Sequence, residues 1–350
     1  MKRESGSISA AIIGLGNIGF GFNADRKRSG VWTHERAFAK AGGVRLIAAA
    51  DPVPSQRDRF HKARPEVPVF SSVDELLRHG APDLVSICVP TAAHAQIAKA
   101  VLAAGARAVF CEKPIAGTTA QALDLIRFAR KRGAVLAVNH TRRWDPAYLR
   151  AAATVRRGGI GQVRSVAARY SGHVYNVGTH LLDAVRMITG LAPLLASGFS
   201  PRPADEDPHV SGLVTLGGGV ACTLSCHGRK EDLLFEIDAV GSEGRLRIVD
   251  NGARTIYERF KQSRRFGGYR ELSARALPPP AGQDRFVAAI LDIRACLRRP
   301  GRTPACSGED GYYALAAAQA LAESARQGSR PRPIPPLSRL KTNSEAPWKN

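Results

Sequence analysis

A chain of 350 residues exceeds one typical domain and suits two, each large enough to bury a core; with 44% apolar and 23% charged residues, wholesale disorder is excluded. No run approaches the roughly 20 uninterrupted apolar residues of a membrane span, and the polar start, Met1 to Ser9, has no signal-peptide core behind it, so a cytoplasmic protein is expected. The formal net charge of +21 is compatible with nucleic acid, anionic membrane or a phosphate-bearing substrate and selects none of them. Its cations are spread through helical stretches, as in Arg127, Arg130, Lys131 and Arg132 or Arg294, Arg298 and Arg299, instead of forming one block.

From Ser9 onward short β-branched runs alternate with longer helical patterns, as in parallel βαβ units. Strands are predicted at Ser9 to Ile13, Val44 to Ala50, Val67 to Phe70, Leu84 to Val89, Ala108 to Cys111 and Val135 to Val138. Ser72 with Glu75 and Thr118 with Gln121 have capping-box spacing, and His94 to Ala104 repeats apolar residues at helical period until Gly105. Six strands with intervening helices make an α/β fold with a doubly wound parallel sheet, the Rossmann arrangement.

After about residue 140 strands follow one another as hairpins. Gly217, Gly218 and Gly219 separate Val210 to Leu216 from Val220 to Ser225, and Ser242, Glu243 and Gly244 separate Phe235 to Val240 from Arg245 to Val249. Two helices, Arg285 to Leu297 and Gly308 to Gln327, close the chain; the tail from Ser329, rich in proline, reads as extended and loose. The expected division is a dinucleotide-binding domain over 1–139, a substrate-binding and oligomerisation domain over 140–340, and a loose tail over 341–350. Cys88, Cys111, Cys222, Cys226, Cys296 and Cys306 mostly sit in apolar runs and read as buried thiols. Cys222 and Cys226 with His227 lack a second pair to complete a tetrahedral site, so no metal is expected.

Gly14, Gly16 and Gly19 form G-x-G-x-x-G directly after the buried run Ala11, Ile12, Ile13, and a strand ending in Asp51 follows. The first two glycines permit a tight turn and close approach to a pyrophosphate resting on N–H groups at a helix start. Asp51 suits the adenosine ribose hydroxyls and its charge repels a 2′-phosphate, so NAD is expected over NADP. Asp51 lies 32 residues beyond Gly19, where about 20 is typical. An insertion over Phe20 to Thr33, carrying Gly21, Gly30, Arg26, Lys27 and Arg28, reads as a surface loop near the pyrophosphate or the active-site mouth.

Ligands of an open α/β sheet lie beyond the carboxyl ends of the strands. Those ends are polar here: Val89, Pro90 and Thr91 lead to His94; Glu112, Lys113 and Pro114 follow the fifth strand; Asn139, His140, Arg142 and Arg143 follow the sixth. Glu112-Lys113-Pro114 after a strand, in a chain opening with G-x-G-x-x-G, resembles the Gfo/Idh/MocA oxidoreductase family. Asp51, Pro90 to His94, Arg143-Trp144-Asp145-Pro146, Gly178 to Asp183 and Ser307 to Gly311 extend the resemblance nearly end to end.

The resemblance implies a Rossmann domain followed by an α+β domain with a mixed, largely antiparallel open sheet, used for substrate binding and often for dimer contacts. It implies oxidation or reduction of a sugar or cyclitol carbon with NAD or NADP. Cofactor contacts would come from Gly14, Gly16, Asn17, Ile18, Gly19, Asp51, Pro90, Thr91, His94, Glu112, Lys113 and Arg143, with Lys113 the catalytic lysine and Glu112 its neighbour near the nicotinamide. An alcohol carbon gives up hydride only as its hydroxyl loses a proton, so a base must stand at the oxygen. A free lysine, at about 10.4, is too basic for this, and burial and the positive nicotinamide ring could lower it.

A second constellation, Asn176, His180 and Asp183, lies on a helix predicted over Tyr175 to Ile188, where positions 176 and 180 share a face. The family commonly has aspartate four residues before this histidine; Asn176 can orient a hydroxyl but cannot take a proton, so Lys113 and His180 would share that work. Family branches acting on nucleotide-linked sugars look similar here. His140, Arg142, Tyr175, Asn176 and His180 are the expected substrate contacts, and guanidinium groups would suit a diphosphate. The leading reading is an NAD(P)-dependent dehydrogenase or ketoreductase acting on CH–OH groups of a sugar, nucleotide sugar or cyclitol, assembled as a homodimer or homotetramer. The alternative is a catalytically inactive dinucleotide-binding regulator of the same fold, against which the joint presence of Lys113 and His180 argues. Nucleic-acid binding lacks any supporting motif.

Overall fold

The structure, a computed structural model, describes residues 7–229, 231–277 and 284–337. The first sheet is parallel and contains β1 (Ile8–Ile13), β2 (Val44–Ala50), β3 (Val69–Phe70), β4 (Leu84–Ile87), β5 (Ala108–Cys111) and β6 (Val135–Val138) in the order β3-β2-β1-β4-β5-β6. This is the doubly wound order of dinucleotide-binding sheets. Every residue of β4 and β5 is buried, which is why these strands are continuous apolar runs in the sequence. Helices α1 (His34–Lys40), α2 (Pro54–Ala63), α3 (Val73–Arg78), α4 (His94–Ala103) and α5 (Thr119–Lys131) supply the connections. Both predicted helix starts are present: Ser72 Oγ accepts from the Glu75 N–H, and Thr118 and Gln121 form a reciprocal capping box. β3 is shorter than predicted; Val67 is drawn into a turn by its N–H bond to the Arg64 carbonyl, and Pro68 has no N–H for a ladder.

The long spacing before Asp51 comes from a break in the first helix. Phe20 N–H donates to the Gly16 carbonyl at 3.0 Å, starting a helical turn that the chain then leaves. The helix resumes at Thr33, whose Oγ1 caps the Arg36 N–H at 3.2 Å. His34 N–H donates to the Ile18 carbonyl and Glu35 N–H to the Gly19 carbonyl, both at 3.1 Å. Helical bonds join residues four apart; these join residues 16 apart, so 12 residues are inserted within one helix, matching the excess before Asp51. The excursion is tied down: Asn23 bridges Thr33 and Glu35 at 2.7 and 2.6 Å, and the Val31 N–H donates to Asp284 at 2.7 Å. The Arg28 guanidinium lies 4.0 Å from the Phe22 ring centre and 5.2 Å from that of Trp32.

After α6 (Pro146–Arg156), the second sheet contains β7 (Val163–Tyr170), β8 (Pro193–Phe199), β9 (Ser211–Leu216), β10 (Val220–Cys226), β11 (Phe235–Gly241), β12 (Gly244–Val249), β13 (Arg254–Gln262), β14 (Arg270–Leu277) and β15 (Arg332–Pro333), with α7 (Thr179–Thr189) between β7 and β8. Their order is β14-β13-β12-β11-β7-β10-β9-β8-β15, antiparallel except for the parallel pair β7 and β10. Both predicted hairpins are present. The segment after Ser329 is not loose as far as it is described: Arg332 pairs with Ala196 and Ile334 is buried. The expected tail over 341–350 lies outside the described residues.

One face of this sheet buries Val166, Ala168, Leu224, Phe235, Ile237, Leu246 and Ile248. The opposite face is open: Leu195, Phe199 and Leu213 on β8 and β9 are 37%, 56% and 41% exposed, and beyond β10 and β7 the ion pairs Arg245 with Asp238 and Arg247 with Glu258 lie on β11, β12 and β13.

Two further helices are α8 (Arg285–Arg298) and α9 (Gly308–Arg326). The described residues up to Arg150 and from 284 to Tyr312 form one compact unit, and the remainder forms the other. α8 follows the second sheet in sequence yet belongs with the first: the Phe286 ring meets His34 edge-on at 5.6 Å, and the Trp144 indole donates to Asp292 at 3.0 Å.

Candidate active site

The glycine turn has the steric form that a dinucleotide requires. A Cβ on Gly14, where φ is +96°, would stand 2.6 Å from the Cys88 carbonyl oxygen, and one on Gly19 would stand 2.1 Å from that of Gly14. At Gly16 an added Cβ meets no atom within 4 Å, so the turn leaves open space where a pyrophosphate approaches the backbone. Asn17 is exposed and Ile18 half-buried beside it. Asp51 follows β2, is 7% exposed, and accepts the Leu15 N–H at 2.7 Å and the Val53 N–H at 2.8 Å. These bonds fix the acid against the glycine turn while leaving carboxylate lone pairs for ribose hydroxyls. The residues present therefore fit NAD.

The carboxyl ends of β4, β5 and β6 are joined by one buried hydrogen-bond chain. Glu112, immediately after β5, accepts from Asn139 Nδ2 at 2.6 Å and faces His34 Nε2 at 2.8 Å, while His34 Nδ1 faces Ser86 Oγ at 2.9 Å. Burial pushes the Glu112 carboxyl up, but the His34 hydrogen bond and charge, the Asn139 amide and the Lys113 charge outweigh it and hold the group below the usual range. Lys113 follows, half-buried, with a cis bond to Pro114. Sequence spacing hides His34 because the excursion displaces it; without those 12 residues it would stand three positions after Gly19.

Other strand-end residues are committed to the protein. Both ring nitrogens of His94 face carbonyl oxygens, Pro114 at 2.7 Å and Val89 at 2.8 Å, so His94 fastens the loops after β4 and β5 together. Pro90 is exposed and Thr91 opens the short turn into α4. Arg143 is 8% exposed; it donates to the Ala305 carbonyl at 3.1 Å and pairs with Asp310 at 2.9 Å. His140 is 1% exposed, and burial followed by the charges of Arg143 and Lys113 lowers its pKa to about 3, so it stays neutral at working pH. Arg142 donates to the Tyr148 hydroxyl at 3.4 Å.

In the second unit, the predicted helix over Tyr175 to Ile188 is α-helical only from Thr179; Val174–Gly178 forms one wider π-helical turn. Such turns are frequent at functional sites. The carboxylate of Asp207 caps the start of this turn, accepting the Tyr175 N–H at 2.8 Å and the Asn176 N–H at 3.1 Å. Nothing in the local sequence marked Asp207, 31 residues away. Asn176 is exposed, Tyr175 and His180 are half-buried, and Asp183 is buried. Four positions is close to one turn in either helix type, so Asn176 and His180 share a face. Burial pushes the Tyr175 hydroxyl up, keeping it a proton-bearing donor. Cys222 and Cys226 are four apart on β10, about 13 Å along a strand, too far to meet at one ion. Among the described residues no group of three His, Cys, Asp or Glu is arranged to hold a metal.

Residues 8–140 match the family model described as Gfo/Idh/MocA oxidoreductase, NAD-binding Rossmann fold, and residues 164–334 match the C-terminal alpha/beta domain of the same family. The D-apiose dehydrogenase of Paraburkholderia graminis is 27% identical over 333 residues, with 84% of each chain covered. The myo-inositol dehydrogenase Hyg17 of Streptomyces leeuwenhoekii is 26% identical, with 93% of this chain and 99% of the relative covered. Among solved structures, the WlbA dehydrogenase of Bordetella pertussis in complex with NADH and UDP-GlcNAcA superposes with a TM-score of 0.75 at 19% identity, covering 94% of this chain and 99% of that one, a likeness of fold.

Proposed function

The chain belongs to the Gfo/Idh/MocA family of oxidoreductases, with an NAD-binding Rossmann domain, and from that premise we propose that it moves hydride between NAD and a CH–OH carbon of a sugar, nucleotide sugar or cyclitol. The observation that carries the reading is Lys113, placed at the carboxyl end of β5 beside buried Glu112, in a sheet whose first turn leaves room at Gly16. The substrate class is supported by relatives named for D-apiose and myo-inositol.

Bound NAD would supply the hydride acceptor for oxidation and, in its reduced form, the hydride donor for the reverse direction. Gly14, Gly16 and Gly19 with the N–H groups of Asn17 and Ile18 would hold the pyrophosphate, and Asp51 would hold the ribose. Lys113 takes the substrate hydroxyl proton in oxidation and returns it in reduction. Within the second unit, Asn176 has an amide suited to orienting a hydroxyl and His180, on the same face, has the imidazole that an amide cannot replace in moving a proton.

Two finer readings accompany this one. A second copy of the chain covers the open sheet face around Leu195, Phe199 and Leu213, giving a homodimer or homotetramer; sedimentation of only monomer at micromolar concentration would overturn it. A cytoplasmic location is supported by six cysteines that all stand as thiols, and recovery of the protein outside the soluble cytosolic fraction would overturn that. The function is tested with free sugars, cyclitols and nucleotide sugars, each supplied with NAD and with NADP, while absorbance of the reduced nicotinamide is followed. Turnover with one class identifies the substrate; silence across the whole panel rejects the reading.

A further inference from the structure

Ser86, His34, Glu112 and Asn139 are 0%, 0%, 7% and 2% exposed, and their hydrogen bonds run across the carboxyl ends of β4, β5 and β6 to the residue that precedes Lys113. The imidazole also packs against two rings, 4.9 Å from the Phe110 ring centre and, edge-on, 5.6 Å from that of Phe286. Burying a carboxylate here costs several kcal/mol unless donors satisfy it. A core that only needed packing at this point would be better served by apolar side chains.

We propose that His34 is a positioning residue for the reaction: by donating to Glu112 it keeps a negative charge fixed beside Lys113, and so sets how readily Lys113 holds its proton. This rests on the reading of Lys113 as the acid–base group. The Ser86 hydroxyl can accept from Nδ1 of a protonated His34 or donate to Nδ1 of a neutral one, and in both arrangements Nε2 is the N–H turned toward Glu112. Glu112 Oε1 collects the His34 and Asn139 donors, and Oε2 faces the Lys113 backbone N–H at 3.3 Å. Without His34, burial is opposed by fewer donors, the proton affinity of the carboxyl rises, and the anion that stabilises the Lys113 ammonium form is weakened. Sequence alone hides this because the 12-residue excursion separates His34 from the glycine turn it serves.

The test uses the full chain and needs no substrate. The wild type, His34→Gln, His34→Phe and Glu112→Gln are treated briefly with acetic anhydride at pH 8, and acetylation of Lys113 is measured by mass spectrometry against exposed Lys62 as internal reference. Phe fills the slot between the two rings without hydrogen bonds, Gln at 34 restores a donor, and Gln at 112 removes the charge at constant shape. The relative rate at Lys113 is expected to rise about tenfold, one pH unit of proton affinity, in His34→Phe and in Glu112→Gln, and to stay within about twofold in His34→Gln. Unchanged Lys113 rates in folded His34→Phe, or in Glu112→Gln should His34→Phe not fold, would overturn the proposal. Because the labelling is independent of turnover, a chain that labels as expected yet turns over no substrate would retain the His34 assignment while losing the functional reading.

Discussion

The backbone N–H of His34 donates to the carbonyl of Ile18 at 3.1 Å, a helical bond between residues 16 apart in sequence. Excising Gly21 to Trp32 would join Phe20 to Thr33 and make that bond an ordinary bond between residues four apart. The shortened chain is expected to fold, with far-ultraviolet circular dichroism like the parent, and to bind NADH within about tenfold of it by fluorescence titration. Loss of folding would mean that the excursion supports the helix instead of interrupting it.

Gly16 and Gly19 should respond differently to one added methyl. At Gly16 the Cβ meets nothing, so Gly16→Ala is expected to keep its melting temperature and lose NADH affinity by about tenfold or more. At Gly19 the Cβ would sit 2.1 Å from a backbone oxygen, so Gly19→Ala is expected to lose about 1–3 kcal/mol of stability as well. Equal melting temperatures for the two variants would contradict the geometry of the turn.

His140 should make the protein acid-sensitive. Its folded pKa is lowered to about 3 from 6.5, so between those values the unfolded chain binds the proton and the native chain does not. Stability therefore falls as pH drops below 6.5, by about 2 kcal/mol at pH 5 from this group. Urea midpoints at pH 7 and pH 5 should converge in His140→Asn; an unchanged gap between them would show that the native imidazole titrates freely.

The Arg143 guanidinium is bound to Asp310 and the Ala305 carbonyl. Arg143→Ala removes one partner of a nearly buried ion pair, and a loss of about 3 kcal/mol is expected, with NADH affinity in the folded fraction changed less than about threefold. A large rise in the dissociation constant at constant melting temperature would instead support the cofactor contact that the family resemblance implies.

The first sheet was legible because strands covered on both faces are unbroken apolar runs between helices with recognisable caps, as at Ser72 and Thr118. β13 and β14 were not, because charged residues such as Arg254, Glu258, Arg259 and Lys261 occupy strand positions that carry no apolar alternation. Glu112, Lys113, Asn176 and His180 announced themselves by motif. His34 and Asp207 did not: one is displaced by an insertion, the other reaches Asn176 from a loop distant in sequence, and both act through contacts that spacing does not encode.

The most direct measurement is turnover of the best substrate from the panel by the wild type and Lys113→Ala, with NADH binding measured on both. The account predicts that binding persists within about tenfold while kcat falls by about 100-fold or more. A Lys113→Ala enzyme with near-normal kcat would contradict it, and tight NADH binding with no turnover by the wild type would favour a dinucleotide-binding regulator.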